Sequence, residues 1–239
     1  MHWWRAGLVA VVVCAMGATA SARDLRKRHL RPRTVAPKSH TESRAGAWPR
    51  AKVLEAATRA FKCGRDAGYF NNSIVTIIDY SLPSTARRLW VIDLARKKVL
   101  FNELVAHGLN SGENMAVAFS DRPGSRMSSL GLFRTGETYW GKHGFALRLD
   151  GLEPGFNERA RERAIVLHGA DYVGSRSIGK LGHLGRSWGC PAVSRSVSHP
   201  LISRIQGGTA LFAYYPDNRW LSGSDFLQCG VAPMARAGR

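Results

Sequence analysis

The sequence has no apolar run long enough to cross a bilayer comfortably; the longest, Ala6 to Met16, falls short. It has no Cys-x2-Cys or His-x3-His pair, so a zinc site would have to come from scattered ligands, and no metal is expected. It has neither a Gly-x-Gly-x-x-Gly segment nor a Gly-x4-Gly-Lys-Ser/Thr segment. Nothing therefore points to a dinucleotide or to a cradled phosphate, and no cofactor is expected. No internal repeat appears. Acidic residues are scarce: 17 Asp and Glu stand against 35 Lys and Arg, a formal net charge of +18. Cysteine is scarce too, with four in 239 residues: Cys14, Cys63, Cys190 and Cys229.

What is present begins with an exported-protein signature. Met1-His2-Trp3-Trp4-Arg5 is followed by the short apolar stretch and then by Ala18-Thr19-Ala20-Ser21-Ala22. One positive charge, a short apolar core and small residues in A-x-A spacing describe a signal peptide over 1–22, cut after Ala20 or Ala22. An uncleaved anchor is the alternative. Cys14 follows Val13, not a small residue, so a lipoprotein site is not expected. Export, to a periplasm or cell wall, leaves three cysteines in an oxidising compartment, an odd number that suggests one bridge and one free thiol. Cys63 and Cys229 lie near the ends of the folded part, so they are expected to pair and to leave Cys190 free. Three reduced thiols are the alternative.

Residues 23–50 carry nine Lys and Arg against Asp24 and Glu42, a net +7 (9 less 2), with Pro32, Pro37 and Pro49 and few apolar residues. This reads as a disordered basic linker. Its partner would be an anionic envelope surface: acidic wall polymer, membrane headgroups or lipopolysaccharide. A solvated tail without a partner is the alternative. Nucleic acid is not expected as a partner, since no nucleic-acid-binding motif is present and an exported chain meets little of it.

From residue 51 onward the pattern becomes that of a packed domain, and one domain over 51–239 is the simplest division. Val53, Leu54, Ala57, Ala60 and Phe61 recur at helical spacing, with Gly64 and Gly68 as stop signals. Short strands follow: Ile74 to Tyr80, then Leu89 to Leu94 and Val99 to Ala106 around the turn Ala95-Arg96-Lys97. Leu132-Phe133, Tyr139-Trp140, Phe145 to Leu149, Ile165 to His168 and Thr209 to Tyr215 continue the series. Helix is expected again near Glu158–Arg163 and over Ser196–Gln206, the latter with Pro200 in its first turn. The class is α+β, mainly β with flanking helices.

The chemistry concentrates in two segments. Ala164-Ile165-Val166-Leu167-His168-Gly169 is a short apolar run ending in a histidine. Arg186-Ser187-Trp188-Gly189-Cys190-Pro191 sets a cysteine beside small residues, with 21 residues separating it from His168. An imidazole held close to a thiol can generate the thiolate, which is the reactive form. Gly189 lets the chain approach a substrate closely, so the N–H groups of Trp188, Gly189 and Cys190 are candidates for an oxyanion hole. Pro191 has no N–H to offer.

These segments resemble those of the murein L,D-transpeptidase catalytic domain family, cysteine enzymes of the YkuD-like kind. The general signature is a His, a spacer, then Ser/Thr-His-Gly-Cys. Val105-Ala106-His107-Gly108, Ser128 to Gly136, Gly141-Lys142-His143-Gly144 and Leu149 to Gly155 look like the same branch, in the same order. Trp188 departs from the pattern, where His is usual, and so do Pro191 and Ala192. The spacer is also longer, through a loop holding Gly174, Gly179, Gly182 and Gly185 that is expected to be mobile.

The resemblance implies a β-sandwich or barrel catalytic domain with an N-terminal helix. It implies Cys190 as nucleophile, His168 as base, and a carbonyl near Gly169 orienting the imidazole. The substrate would be a peptidoglycan tetrapeptide stem, attacked at the third residue with loss of D-alanine. An amine then resolves the thioester into a 3–3 cross-link. Water would make the same site an L,D-carboxypeptidase, and a non-catalytic wall-binding protein is a further alternative. Ser187, Arg186, Tyr139, Lys142 and His143 are the candidate substrate-binding residues, with Arg186 and Lys142 suited to a stem carboxylate. Trp188, Tyr139 and Trp140 would either wall the cleft or pack in the core. His183 is a rival base in a loop, and His107 is either pocket-lining or structural.

Overall fold

The computed structural model describes residues 48–229. The expected signal segment 1–22, residues 23–47 of the basic segment and residues 230–239 lie outside the described residues. The expected linker gives way to packed structure slightly before residue 51. Pro49 is buried, and the Arg50 guanidinium reaches Asp79 at 2.7 Å. Asp79 in turn accepts from the backbone and hydroxyl of Ser81.

Helix α1 (Ala51–Asp66) follows at once. It buries Val53, Ala57, Ala60 and Phe61, the stripe that the 3.6-residue period places on one face. That face lies against an eight-stranded sheet in the order β3-β2-β1-β8-β4-β5-β6-β7. Strands β1 (Ile74–Asp79), β2 (Arg87–Asp93) and β3 (Lys98–Leu104) form an antiparallel meander. Strand β8 (Ala210–Tyr214) lies parallel to β1 and antiparallel to β4 (Gly131–Gly141). Strands β1 and β8 are buried along their whole length, which explains why each reads as a continuous apolar run rather than an alternation. Strands β5 (Gly144–Gly151) and β6 (Val166–Ala170) continue antiparallel, and β7 (Ala192–Ser194) runs parallel to β6.

The two edges of this sheet meet. Ala106, two residues past β3, exchanges backbone hydrogen bonds with Ala192 of β7 at 2.8 and 3.4 Å. The sheet thereby becomes barrel-like, and an exposed edge is removed where the chain approaches Cys190.

Four differences from the sequence reading have local causes. The two short strands expected at 132–133 and 139–140 are one strand, β4, carried through by a register shift between Thr135 and Thr138. The helix expected near Glu158–Arg163 is a succession of turns. There Asn157 ties the segment down by donating to the Leu130 and Leu132 carbonyls, and Ala164 takes a positive φ of 52°. The glycine-containing loop expected to be mobile holds a helix, α2 (Ser175–Leu181). Leu184 behind it is fully buried. Pro200 is not in a first turn: α3 (Arg195–Ile205) starts directly after β7, so Pro200 is its sixth residue. Its ring is exposed there, and the helix forgoes one N–H donor. Two short helices, α4 (Asn218–Gly223) and α5 (Asp225–Gln228), end the described chain.

Cys63 of α1 and Cys229 after α5 are bonded, and Cys190 is the free cysteine among the described residues. The bridge closes a loop with a sequence separation of 166. Constraint of so long a loop in the unfolded chain is worth about 2–4 kcal/mol. Replacing both cysteines by serine should therefore lower the melting temperature by several degrees without altering the reactivity of Cys190. Thiol titration of native 23–239 should find one reactive group, and three after reduction in denaturant. Three in the native, unreduced protein would refute the pairing.

Candidate active site

The segment carrying Cys190 is the last stretch of a crossover from β6 through α2 to β7. It would be a free loop but for the backbone around it. Leu109 N–H donates to the Ser187 carbonyl at 2.7 Å, and Ser187 N–H donates to the His107 carbonyl at 3.0 Å. Within the segment, Ser187 Oγ donates to the Cys190 carbonyl at 2.6 Å and accepts from Gly189 N–H at 3.1 Å. Ser128 Oγ donates to the Gly189 carbonyl at 3.1 Å and accepts from Gly108 N–H at 3.0 Å. Gly189 has φ +124°, and a Cβ there would stand 2.7 Å from the Met127 carbonyl. Glycine is thus required for both conformation and space.

Behind the segment lies a buried polar layer that the sequence did not reveal. Arg88, fully buried on β2, donates to the carbonyls of Val105 and Leu82 and to His107 Nδ1 at 2.6 Å. It also lies 5.2 Å from the centre of the Tyr80 ring. Burial lowers its pKa to about 10, so it stays cationic at neutral pH. His107 accepts from Arg88 at Nδ1, so its proton is on Nε2, which faces the Gly112 carbonyl at 3.2 Å. Burial and then the Arg88 charge push His107 down to about 4. It is a structural histidine that holds residues 105–112 under the Cys190 segment.

The cleft in front has a volume of about 400 Å³. Cys190 and His168 both line it, with Tyr139, Lys142, His143, Arg163, Tyr172, Arg186, Ser187 and Trp188. No carboxylate lines it, so it favours an anionic ligand. His168 sits in mid-β6, paired in register with Ala192 of β7. Its Nδ1 is 3.1 Å from the Gly169 carbonyl. A carbonyl only accepts, so Nδ1 carries the proton and Nε2 is left as the basic nitrogen. Burial lowers the pKa of His168, against the raising effect of the Gly169 bond. Burial raises that of Cys190, against the Val166 N–H, which approaches Sγ at 3.4 Å, and the Arg163 charge. Both shifts favour the neutral forms, so the resting site holds a thiol and a neutral imidazole. No hydrogen bond joins them directly: Sγ faces Val166 N–H and the Ala164 carbonyl.

Most residues singled out from the sequence converge on this cleft, with corrections. The Gly189 N–H, expected in an oxyanion hole, is taken by Ser187 Oγ, because the sharp turn needs its own brace. That leaves Trp188 and Cys190 N–H from the expected set. The Ser187 hydroxyl is likewise committed within the segment rather than offered to a ligand. Trp140 is 74% exposed and packs on Phe145 and His199, outside the cleft lining, while its neighbour Tyr139 lines it; strand alternation separates the two. His183 does not line the cleft and contacts the Leu184 carbonyl. Trp188 is 68% exposed at the rim, with Arg126 4.8 Å and Lys142 5.9 Å from its ring centre. Among the described residues no three His, Cys, Asp or Glu side chains gather as a metal would need.

Two cleft residues were missed. Arg163 has its guanidinium under the floor, donating to the Met127 and Ser120 carbonyls and to Ser129 Oγ. Nothing in its arginine-rich neighbourhood marks it out. Tyr172, with its hydroxyl pKa raised to about 12 by burial, stands four residues beyond His168. It lies in a turn two residues past the end of β6, so strand alternation from the histidine does not reach it.

A closed sheet carrying a cysteine and a carbonyl-anchored histidine in one basic cleft is the frame of a thiol acyl-transfer site. Comparison with known families gives the class a name: residues 47–214 match the model of the L,D-transpeptidase catalytic domain, and the chain belongs to that family. No curated protein matches. Among solved structures, an L,D-transpeptidase from Mycobacterium smegmatis is similar at 13% identity and a TM-score of 0.38, over 60% of this chain and 59% of that one. An LD transpeptidase in complex with imipenem gives 14% identity, 60% of each chain and 0.38. One from Xylanimonas cellulosilytica gives 16%, 72% of this chain, 96% of that chain and 0.35. The chain thus spans under two thirds of the length of the first two of these structures.

Gly189→Ala should strain the turn by about 1–3 kcal/mol. The expected result is a lowered melting temperature and loss of iodoacetamide reactivity at Cys190. Wild-type melting together with wild-type reactivity would show that the turn is not held as described.

Proposed function

We propose that the chain is an exported cysteine L,D-transpeptidase that acts on peptidoglycan tetrapeptide stems. The observation that carries this reading is the convergence of Cys190 and His168 on one cleft, with the imidazole anchored at Nδ1 by the Gly169 carbonyl. Membership of the family supports the reaction class. The basic lining suits the carboxylates of a stem peptide, with Lys142 and Arg186 at its walls.

In this reading His168 Nε2 takes the Cys190 proton as sulfur attacks the carbonyl of the third residue. The two groups start neutral, so proton transfer accompanies attack rather than preceding it. The developing oxyanion is received by backbone N–H of Trp188 or Cys190. The tetrahedral adduct collapses, the bond to the terminal D-alanine breaks, and His168 returns the proton to the leaving amine. A thioester remains on Cys190. An amine of a second stem attacks it, giving its proton to His168, and a 3–3 cross-link leaves while the thiol is restored. Water in place of the amine yields a tripeptide. Residues 1–22 would direct the chain to the periplasm or cell wall, and residues 23–50 would hold it near an anionic envelope surface.

The deciding experiment incubates purified 23–239, and its Cys190→Ala variant, with a disaccharide-tetrapeptide and weighs the products. A dimer lacking one D-alanine, made only by the wild type, is expected. A tripeptide monomer alone would replace transpeptidation by carboxypeptidase activity. No Cys190-dependent product from folded protein would reject the reading.

The pH profile follows from the site. The base must be neutral, and burial lowers the pKa of His168. The imidazole therefore stays neutral further into acid, and the acid limb of kcat/KM should lie below the ordinary histidine range of about 6.5. An acid limb above that range would contradict the burial argument.

A further inference from the structure

The hairpin joining β4 to β5 ends in a turn of two residues, Lys142 and His143, between the paired Gly141 and Gly144. Neither Lys142 nor His143 has a positive φ; the glycine after them does, Gly144 at 78°, as where a tight turn is followed by a left-handed glycine. Strand β5 is itself paired with β6, Ala146 opposite His168. The tip of the hairpin is therefore set by sheet register and not by loop freedom.

From this one turn, contacts go to both halves of the site. The His143 ring stacks on the His168 ring, with centroids 4.4 Å apart and planes 29° from parallel. Lys142 Nζ lies 5.9 Å from the centre of the Trp188 ring, two residues before Cys190. The His168 ring has a single hydrogen bond, at Nδ1. One such bond fixes an edge of an imidazole and leaves its plane free to tilt; a second ring packed on its face removes that freedom.

We propose that His143 is a positioning residue for His168, holding the plane of the imidazole so that Nε2 stays aimed into the cleft, while Lys142 on Trp188 keeps the turn seated. This rests on the reading of His168 as the base. The general family signature has a histidine at the position of Trp188; here a second imidazole reaches the base from another element. Its charge state suits the role. Burial, then Lys142 and Arg195, lower the pKa of His143, so a neutral ring lies against the imidazolium that His168 becomes. The charged and titratable groups around His168 are His143 and Lys142 from the hairpin, Arg195 from α3 with its partner Asp171, and Cys190 and Tyr172 across the cleft.

The test compares wild type, His143→Phe, His143→Ala and, as a floor, His168→Ala in the 23–239 chain. Two readouts are taken: kcat and KM on the disaccharide-tetrapeptide, and the rate of Cys190 alkylation by iodoacetamide across pH. Phenylalanine keeps a ring face without ring nitrogens. His143→Phe should stay within about threefold of wild type in both readouts, and His143→Ala should lose about tenfold in kcat and in neutral-pH alkylation with KM little changed. Equal losses in both variants would assign the role to the ring nitrogens and overturn the proposal. A rise in KM alone, or no effect of alanine, would overturn it as well. Should wild type fail to turn over the tetrapeptide, the substrate reading falls, while the alkylation rates still decide the part played by His143.

Discussion

The pair of backbone hydrogen bonds between Ala106 and Ala192 is the constraint on which the rest of the site depends. It joins the two edges of the sheet, and it does so two residues past Cys190 and one before His107. Everything on the reactive side follows from that seam. Residues 105–112 are drawn under the Cys190 segment, where their backbone receives Ser187. Strand β7 is brought level with β6, so that His168 on β6 and Cys190, two residues before β7, face the same cleft. A three-residue strand has little stability of its own. Here β7 is held on one side by β6 and on the other by Ala106, so its position is determined by the whole sheet.

The second support is electrostatic. Arg88 is buried with no carboxylate in contact among the described residues, and an uncompensated buried charge is expensive. The carbonyls of Val105 and Leu82, the His107 nitrogen and the Tyr80 ring satisfy it instead. All of these groups must therefore stay in place for the charge to be tolerated. A rigid platform beneath the Cys190 segment results, with the Arg88 charge buried at its base. In front of the platform the site holds two neutral reacting groups and a basic wall. In the proposed reaction that wall would draw in the stem carboxylates, and the proton would move only as sulfur attacks the carbonyl.

The elements with strong local signals were legible. The α1 stripe, the buried runs of β1 and β8 and the β2–β3 hairpin read directly from residue pattern; the Cys63–Cys229 pair was one of two readings the cysteine count left open, and the structure decides for it. The convergence of His168 and Cys190 came from resemblance to a family signature; each residue alone would have been an ordinary histidine or thiol. What stayed hidden depends on contacts distant in sequence. Strand β7 is too short to show a period, and α2 looked like a loop because Gly179 within it, the glycines flanking it and its two charges outweigh its apolar residues. The turns at 154–164 imitate a helix until Asn157 is seen bound to β4. Arg88 reads as surface charge beside Arg87, and only the closed sheet shows that one of the pair points inward. The hydrogen bond from Gly189 to Ser187 could not be inferred from composition, since it depends on the sharpness of the turn.

The Cys63–Cys229 bond also changes what kind of object the domain is. Between those residues the chain is a closed covalent ring. A single peptide bond cut anywhere on the ring opens it to a linear strand without releasing a piece. Nicking at an exposed turn would leave β6, β7 and the Cys190 segment tethered to the rest of the sheet. Two cuts, or reduction, would be needed before any part of the site could diffuse away.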